Sequence, residues 1–240
     1  MPHLEPIRPP PERSLSAPEA REGPARPTVD AARESYASLT KARSSIFDSF
    51  GYAIDGVLRT LCTQRNMKIH WVSGLAVMLV GMALNLDIAS RASIILCVVM
   101  VICMEVLNTS LEAFVDLHVK EYERPAMVAK DAAAAAVLVL AVGAVVILAD
   151  VVFHAWEMVM TQAQAIVRTL TLGIPLLGVV GAVLAAPRRL VLLAPLQLGA
   201  VTLVAILAWS SRDEIFSLGA LGFVISAGWA RWREPALLSN

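Results

Sequence analysis

The run Glu105-Val-Leu-Asn108-Thr-Ser-Leu-Glu112-Ala-Phe-Val-Asp116 closes an otherwise apolar stretch, Ala92–Val115, and its reading decides the fold. A stretch of that length covers the ~30 Å of hydrocarbon in a bilayer. An ionisable side chain inside a span costs ~2.5–3.5 kcal/mol at the helix centre, so each one calls for a functional reason. At ~100° per residue, Glu105, Asn108, Glu112 and Asp116 fall within an arc of ~80°. One helical face thus carries three carboxylates and an amide, deepest at Glu105 and wettest at Asp116. Carboxylates at close quarters repel unless a cation or protons intervene. Oxygen ligands in this number suit a hard divalent cation. Intramembrane acids also serve as proton or cation sites in transporters and as structural hydrogen-bonding pairs. Spacing alone leaves these three readings open.

Working outward, further apolar runs occupy Ile69–Leu86, Ala132–Ala149, Thr169–Pro187, Leu190–Ser211 and Ile215–Ala230. With Ala92–Val115 they make six expected crossings. Before them, Ile46, Phe47, Phe50, Ile54, Val57, Leu58 and Leu61 recur at helical spacing among polar residues, which predicts an amphipathic helix lying in the membrane interface. Residues 1–40 hold eight of the thirteen prolines and predict a disordered tail. The expectation is therefore an all-α integral membrane bundle.

Composition agrees. Of the 240 residues 57% are hydrophobic and 17% charged, against about 25% charged in soluble domains. Twenty basic residues balance twenty acidic ones, which leaves no net positive footprint for nucleic acid. Three cysteines, none in a C-x-x-C pair, make no disulfide framework. Lys41, Arg43, Arg59, Arg65, Lys68, Lys120, Arg124, Lys130, Arg188, Arg189, Arg231 and Arg233 all fall on one side of the six expected spans. The positive-inside rule makes that side the cytoplasm, so both termini are expected there. No Walker G-x-x-x-x-G-K-[ST] run is present, and any nucleotide site is of another kind.

The segment 105–116 resembles the signature of the prokaryotic diacylglycerol kinase and undecaprenol kinase family. Arg124-Pro-Ala-Met-Val-Ala-Lys130-Asp131-Ala-Ala-Ala-Ala-Ala-Val137 resembles its second block, and Arg65-Asn66-Met-Lys-Ile-His70 the segment that enters its first span. The resemblance covers about residues 44–153, in the order surface helix and three spans. It implies a membrane lipid kinase domain over 44–155 and leaves 158–240 as an extension of about three further spans. It also implies a bacterial inner-membrane enzyme that forms homotrimers with shared active sites and phosphorylates a lipid alcohol with ATP and Mg²⁺.

The resemblance assigns roles residue by residue. Glu105 is the expected general base, and Asn108 supports it. Glu112 is an expected Mg²⁺ ligand. Tyr52, Asp116, Glu121, Tyr122, Lys130 and Asp131 are expected to meet ATP or its metal. Gln64 stands where the family carries a second, acidic metal ligand, and Ser45 and Asp48 stand where it carries basic residues. A catalytically weakened member, or an ion-coupled or regulatory membrane protein, is the rival reading. As for the substrate, Arg65-Asn66…His70 and the alanine-rich third span lean toward undecaprenol. Ala89-Ser-Arg-Ala92 and Val99-Met-Val-Ile-Cys-Met-Glu105 resemble the diacylglycerol branch.

Overall fold

The computed structural model describes residues 46–185, 190–211 and 213–239, with side chains at 190–192 excepted. The expected tail, 1–40, lies outside them, as do Ser45, Arg188, Arg189 and Arg212. Among the described residues there are eight helices and no strand. They are α1 (Ile46–Thr63), α2 (Arg65–Ala83), α3 (Ile88–His118), α4 (Arg124–His154), α5 (Trp156–Thr161), α6 (Ala163–Ala185), α7 (Leu190–Ser210) and α8 (Glu214–Leu238).

Among the described residues, five helices are long and apolar enough to cross a membrane: α3, α4, α6, α8 and Leu193–Ser210 of α7. This makes the chain an integral membrane protein. The first of the six expected spans, Ile69–Leu86, is not among the five. Its helix, α2, begins four residues earlier, so Arg65, Asn66 and Lys68 occupy its first turn and lower its hydropathy. The helix also stops at Ala83, short of Leu86.

Although it is the least apolar of the long bundle helices, α2 occupies the middle of the bundle. It packs on α3, α6 and α8, and buries Met67, Trp71, Gly74, Leu75, Met78, Leu79, Gly81, Met82 and Ala83. Two glycines admit α8 closely. A Cβ at Gly74 would lie 2.8 Å from Phe223 Cζ, and one at Gly81 would lie 2.7 Å from the Phe216 ring. Trp71 adds a hydrogen bond, its indole Nε1 donating to the Phe223 carbonyl at 3.0 Å. Small residues that let backbones approach are the usual way helices pack in lipid, where no hydrophobic drive separates protein from solvent.

Helices α3 and α4 pack on each other as a hairpin. Val137 is the only buried residue of α4, and Leu138, Val139, Val142, Val145 and Val146 are all exposed. In a membrane protein such a face meets lipid or another subunit. The extension α6–α8 is tied to the first half at the start of α3 as well. Arg91 Nη1, on the first turn of α3, lies 2.7 Å from the buried Asp213 carboxylate, whose Oδ1 also accepts from the Ile215 and Phe216 amides and caps α8.

Candidate active site

Glu105 and Asn108 sit on the same face of α3 and are 2% and 6% exposed. Asn108 Nδ2 donates to Glu112 Oε1 at 3.1 Å, one turn further along. Glu112 is half-buried and Asp116 exposed, so the acidic face runs from interior to solvent as its spacing predicts. Asp116 Oδ1 in turn lies 2.9 Å from Lys130 Nζ on α4, which brings the two sequence blocks together.

Two buried oxygens at the deep end, Glu105 Oε2 and Asn108 Oδ1, have no hydrogen-bond partner among the described residues. Buried polar atoms are normally paired, and leaving one unpaired costs about 1–3 kcal/mol. Both residues line a cavity of about 160 Å³ between α2, α3 and α4, together with Asn66, His70, Ala134, Val137, Leu138 and Ala141. The cavity wall is apolar on the α4 side and polar on the α2 side. A hydroxyl attached to a hydrocarbon chain has that double character, and it could satisfy either orphaned oxygen.

Asn66 and His70 are not among the expected site residues, although both belong to the Arg65-Asn66…His70 block; on the first two turns of α2 they line the cavity beside Glu105. A second cavity, of about 200 Å³, adjoins the first through His70 and Ala141 and is lined by Gly74, Val98, Val101 and Val145 among others. It continues the site into the apolar part of the bundle.

The remaining expected residues are more scattered. Tyr52 is exposed on α1. Glu121 and Tyr122 are exposed in the link between α3 and α4, and Asp131 is exposed on the second turn of α4. Gln64 precedes α2 at its N-cap position, and its side chain makes no capping bond. Among the described residues, no three His, Cys, Asp or Glu side chains converge on one point. The acidic face is thus a ladder and not a cage. The oxygen donors of Glu112 and Asn108 have the chemistry for a hard cation, but one chain brings only part of a ligand set.

Comparison with known proteins bears on the same region. The profile of the prokaryotic diacylglycerol kinase family matches residues 51–152. A diacylglycerol kinase of Synechocystis is 36% identical over 141 residues, which cover 58% of this chain and 77% of that protein. The undecaprenol kinase of Bacillus subtilis is 38% identical over 96 residues, 40% of this chain and 78% of that protein. The diacylglycerol kinase of Escherichia coli K12 is 29% identical over 110 residues, 46% of this chain and 90% of that protein. No solved structure matches. Residues 51–152 contain the whole acidic ladder, the lysine that meets it and the cavity behind it; on these grounds the chain belongs to the prokaryotic diacylglycerol kinase family.

Proposed function

We propose that the chain is an ATP-dependent lipid kinase, whose kinase domain spans residues 44–155 and whose substrate is a membrane lipid alcohol, undecaprenol ahead of diacylglycerol. The observation that carries this reading is that Glu105 and Asn108, each with a buried oxygen unpaired among the described residues, line a cavity with one polar and one apolar wall. In this reading the lipid hydroxyl enters the cavity and Glu105 takes its proton. The freed oxygen attacks the γ-phosphorus of ATP, and the bond to the ADP oxygen breaks. Asn108 holds Glu112 in place through its amide. Lys130, with Asp116 beside it, faces the phosphates at the membrane surface. Tyr52, Glu121, Tyr122 and Asp131 supply the other nucleotide contacts. Glu112 and Gln64 would hold a Mg²⁺ ion, whose charge would offset that of the phosphates.

The working unit in this reading is a homotrimer, as the family resemblance implies, and neighbouring subunits add to the few acids that converge among the described residues. The exposed apolar face of α4 is available for that contact. Helix α2 crosses the membrane with the five apolar helices. Its 19 residues rise ~28 Å, and its polar first turn lies at the cytoplasmic surface. Six crossings return both termini to the cytoplasm of a bacterial inner membrane. A lipid kinase so placed regenerates a phosphorylated lipid for phospholipid or envelope-carrier recycling.

The test is transfer of labelled γ-phosphate from ATP to undecaprenol and diacylglycerol, offered side by side in mixed micelles, with Glu105→Gln as the blank. Label entering one lipid in the wild type and lost by ~10²–10⁴ in the variant supports the reading. Folded wild type that labels neither lipid defeats it and favours the regulatory alternative.

A further inference from the structure

The family profile ends at residue 152, yet the segment beyond it reaches back to the very start of the matched region. Arg233, near the end of α8, forms an ion pair with Asp55 of α1. The second arm of its guanidinium, Nη2, lies 3.3 Å from Asp55 Oδ2. One turn earlier on α8, the Ala230 carbonyl accepts from the Cys62 thiol at 3.2 Å. Arg233 also stands 5.9 Å from the centre of the Trp229 ring, which limits where its fork can point. These contacts span 168 and 178 residues of chain.

What they hold is the surface helix. Between Gly51 and Thr63, α1 buries only Leu58, Thr60, Leu61 and Cys62, all at its C-terminal end. Its preceding turns are exposed and carry Tyr52, one turn before Asp55. A helix buried at one end alone is free to pivot about that end. The Arg233–Asp55 pair sits part-way along and removes that freedom. Its side chains are 32% and 33% exposed, so screening by water is partial.

We infer that the C-terminal extension is a brace for α1, in which Arg233 is a positioning residue that fixes, through Asp55, the approach of Tyr52 to the nucleotide. This rests on the reading of Tyr52 as an ATP contact. The brace itself does not, because it is a statement about which helix holds which. It gives α8 two duties: its first half seals the back of α2 with Phe216 and Phe223, and its last turns orient the helix at the membrane surface.

The experiment uses the full chain in detergent micelles and compares wild type, Arg233→Asp, Asp55→Arg and the double exchange. Two readouts are taken: amide hydrogen exchange over residues 49–63, and the KM for ATP beside kcat and the KM for lipid. Each single charge reversal is expected to speed exchange in α1. It also raises the ATP KM about fivefold, the scale of a partly exposed ion pair, with kcat and lipid KM nearly unchanged. The double exchange, which restores opposite charges, is expected to recover both readouts. Unchanged exchange in the single variants overturns the brace. Faster exchange with an unaltered ATP KM overturns the link to nucleotide. A double exchange as poor as the singles overturns the pairing. Wild type that phosphorylates no lipid fails the kinase reading and the Tyr52 link, while the exchange data still decide the brace.

Discussion

Lys130 Nζ, on the second turn of α4, lies 2.9 Å from Asp116 Oδ1 on the last turn of α3, so the hairpin is closed by charge at the end where its link is exposed. Asp116 is mostly in water, and a pair so placed adds little to stability. It does hold a lysine beside the acidic ladder, where phosphate would meet it. Lys130→Met is therefore expected to lower lipid phosphorylation by ~10²–10³ while the thermal melt in detergent stays where it was. Lys130→Arg, which keeps the charge, recovers part of the loss. A fully active Lys130→Met removes the residue from the site.

Asn108 carries one satisfied and one orphaned group: its Nδ2 serves Glu112, and its Oδ1 is buried with no partner among the described residues. Asn108→Leu keeps the volume and removes the orphan, which relieves ~1–3 kcal/mol against the loss of one hydrogen bond worth about 1 kcal/mol. The variant is expected to melt at or above the wild-type temperature and to lose activity at least tenfold. Loss of stability with activity intact would assign Asn108 to the scaffold.

Gln64 is the position where neutral amide replaces an expected acid. An amide oxygen coordinates a divalent cation but brings no charge, and ligand charge is one of the terms that sets affinity. Gln64→Glu is expected to move the Mg²⁺ titration of activity to lower concentration, without altering the KM for lipid. If the titration stays put, Gln64 is no ligand, and its place at the start of α2 is that of a simple helix boundary.

Much of this site was legible because it is local. Glu105, Asn108, Glu112 and Asp116 share a face by helical geometry alone, and the structure keeps them on one face. Lys130 needed only the hairpin to bring it to Asp116. The resting place of α2 was harder to read, since its polar first turn and its central position pull in opposite directions; hydropathy sees the first and not the second. Least legible were the contacts of the extension. Arg91 and Asp213 lie 122 residues apart, and nothing in the sequence says that they pair with Asp213 buried. Asp55 and Arg233 lie 178 residues apart and meet only through the packing of the bundle.

That packing depends on Gly81. The Phe216 ring is fully buried against it, with three ring atoms 2.7 Å from where a Cβ would stand. The ring cannot retreat, because Gly81 and Phe216 both lie within the core shared by α2 and α8. Gly81→Ala is expected to cost ~1–3 kcal/mol through overpacking, read as a lower midpoint in a detergent unfolding titration. Adding Phe216→Leu, which frees space at the same contact, is expected to return part of the loss. The two changes are in direct contact and will not be additive. If the pair simply sums, the Gly81–Phe216 contact is not what joins the extension to the kinase half. Since α8 also carries Arg233, Gly81→Ala is further expected to speed amide exchange in α1, tying the two ends of the extension to one helix.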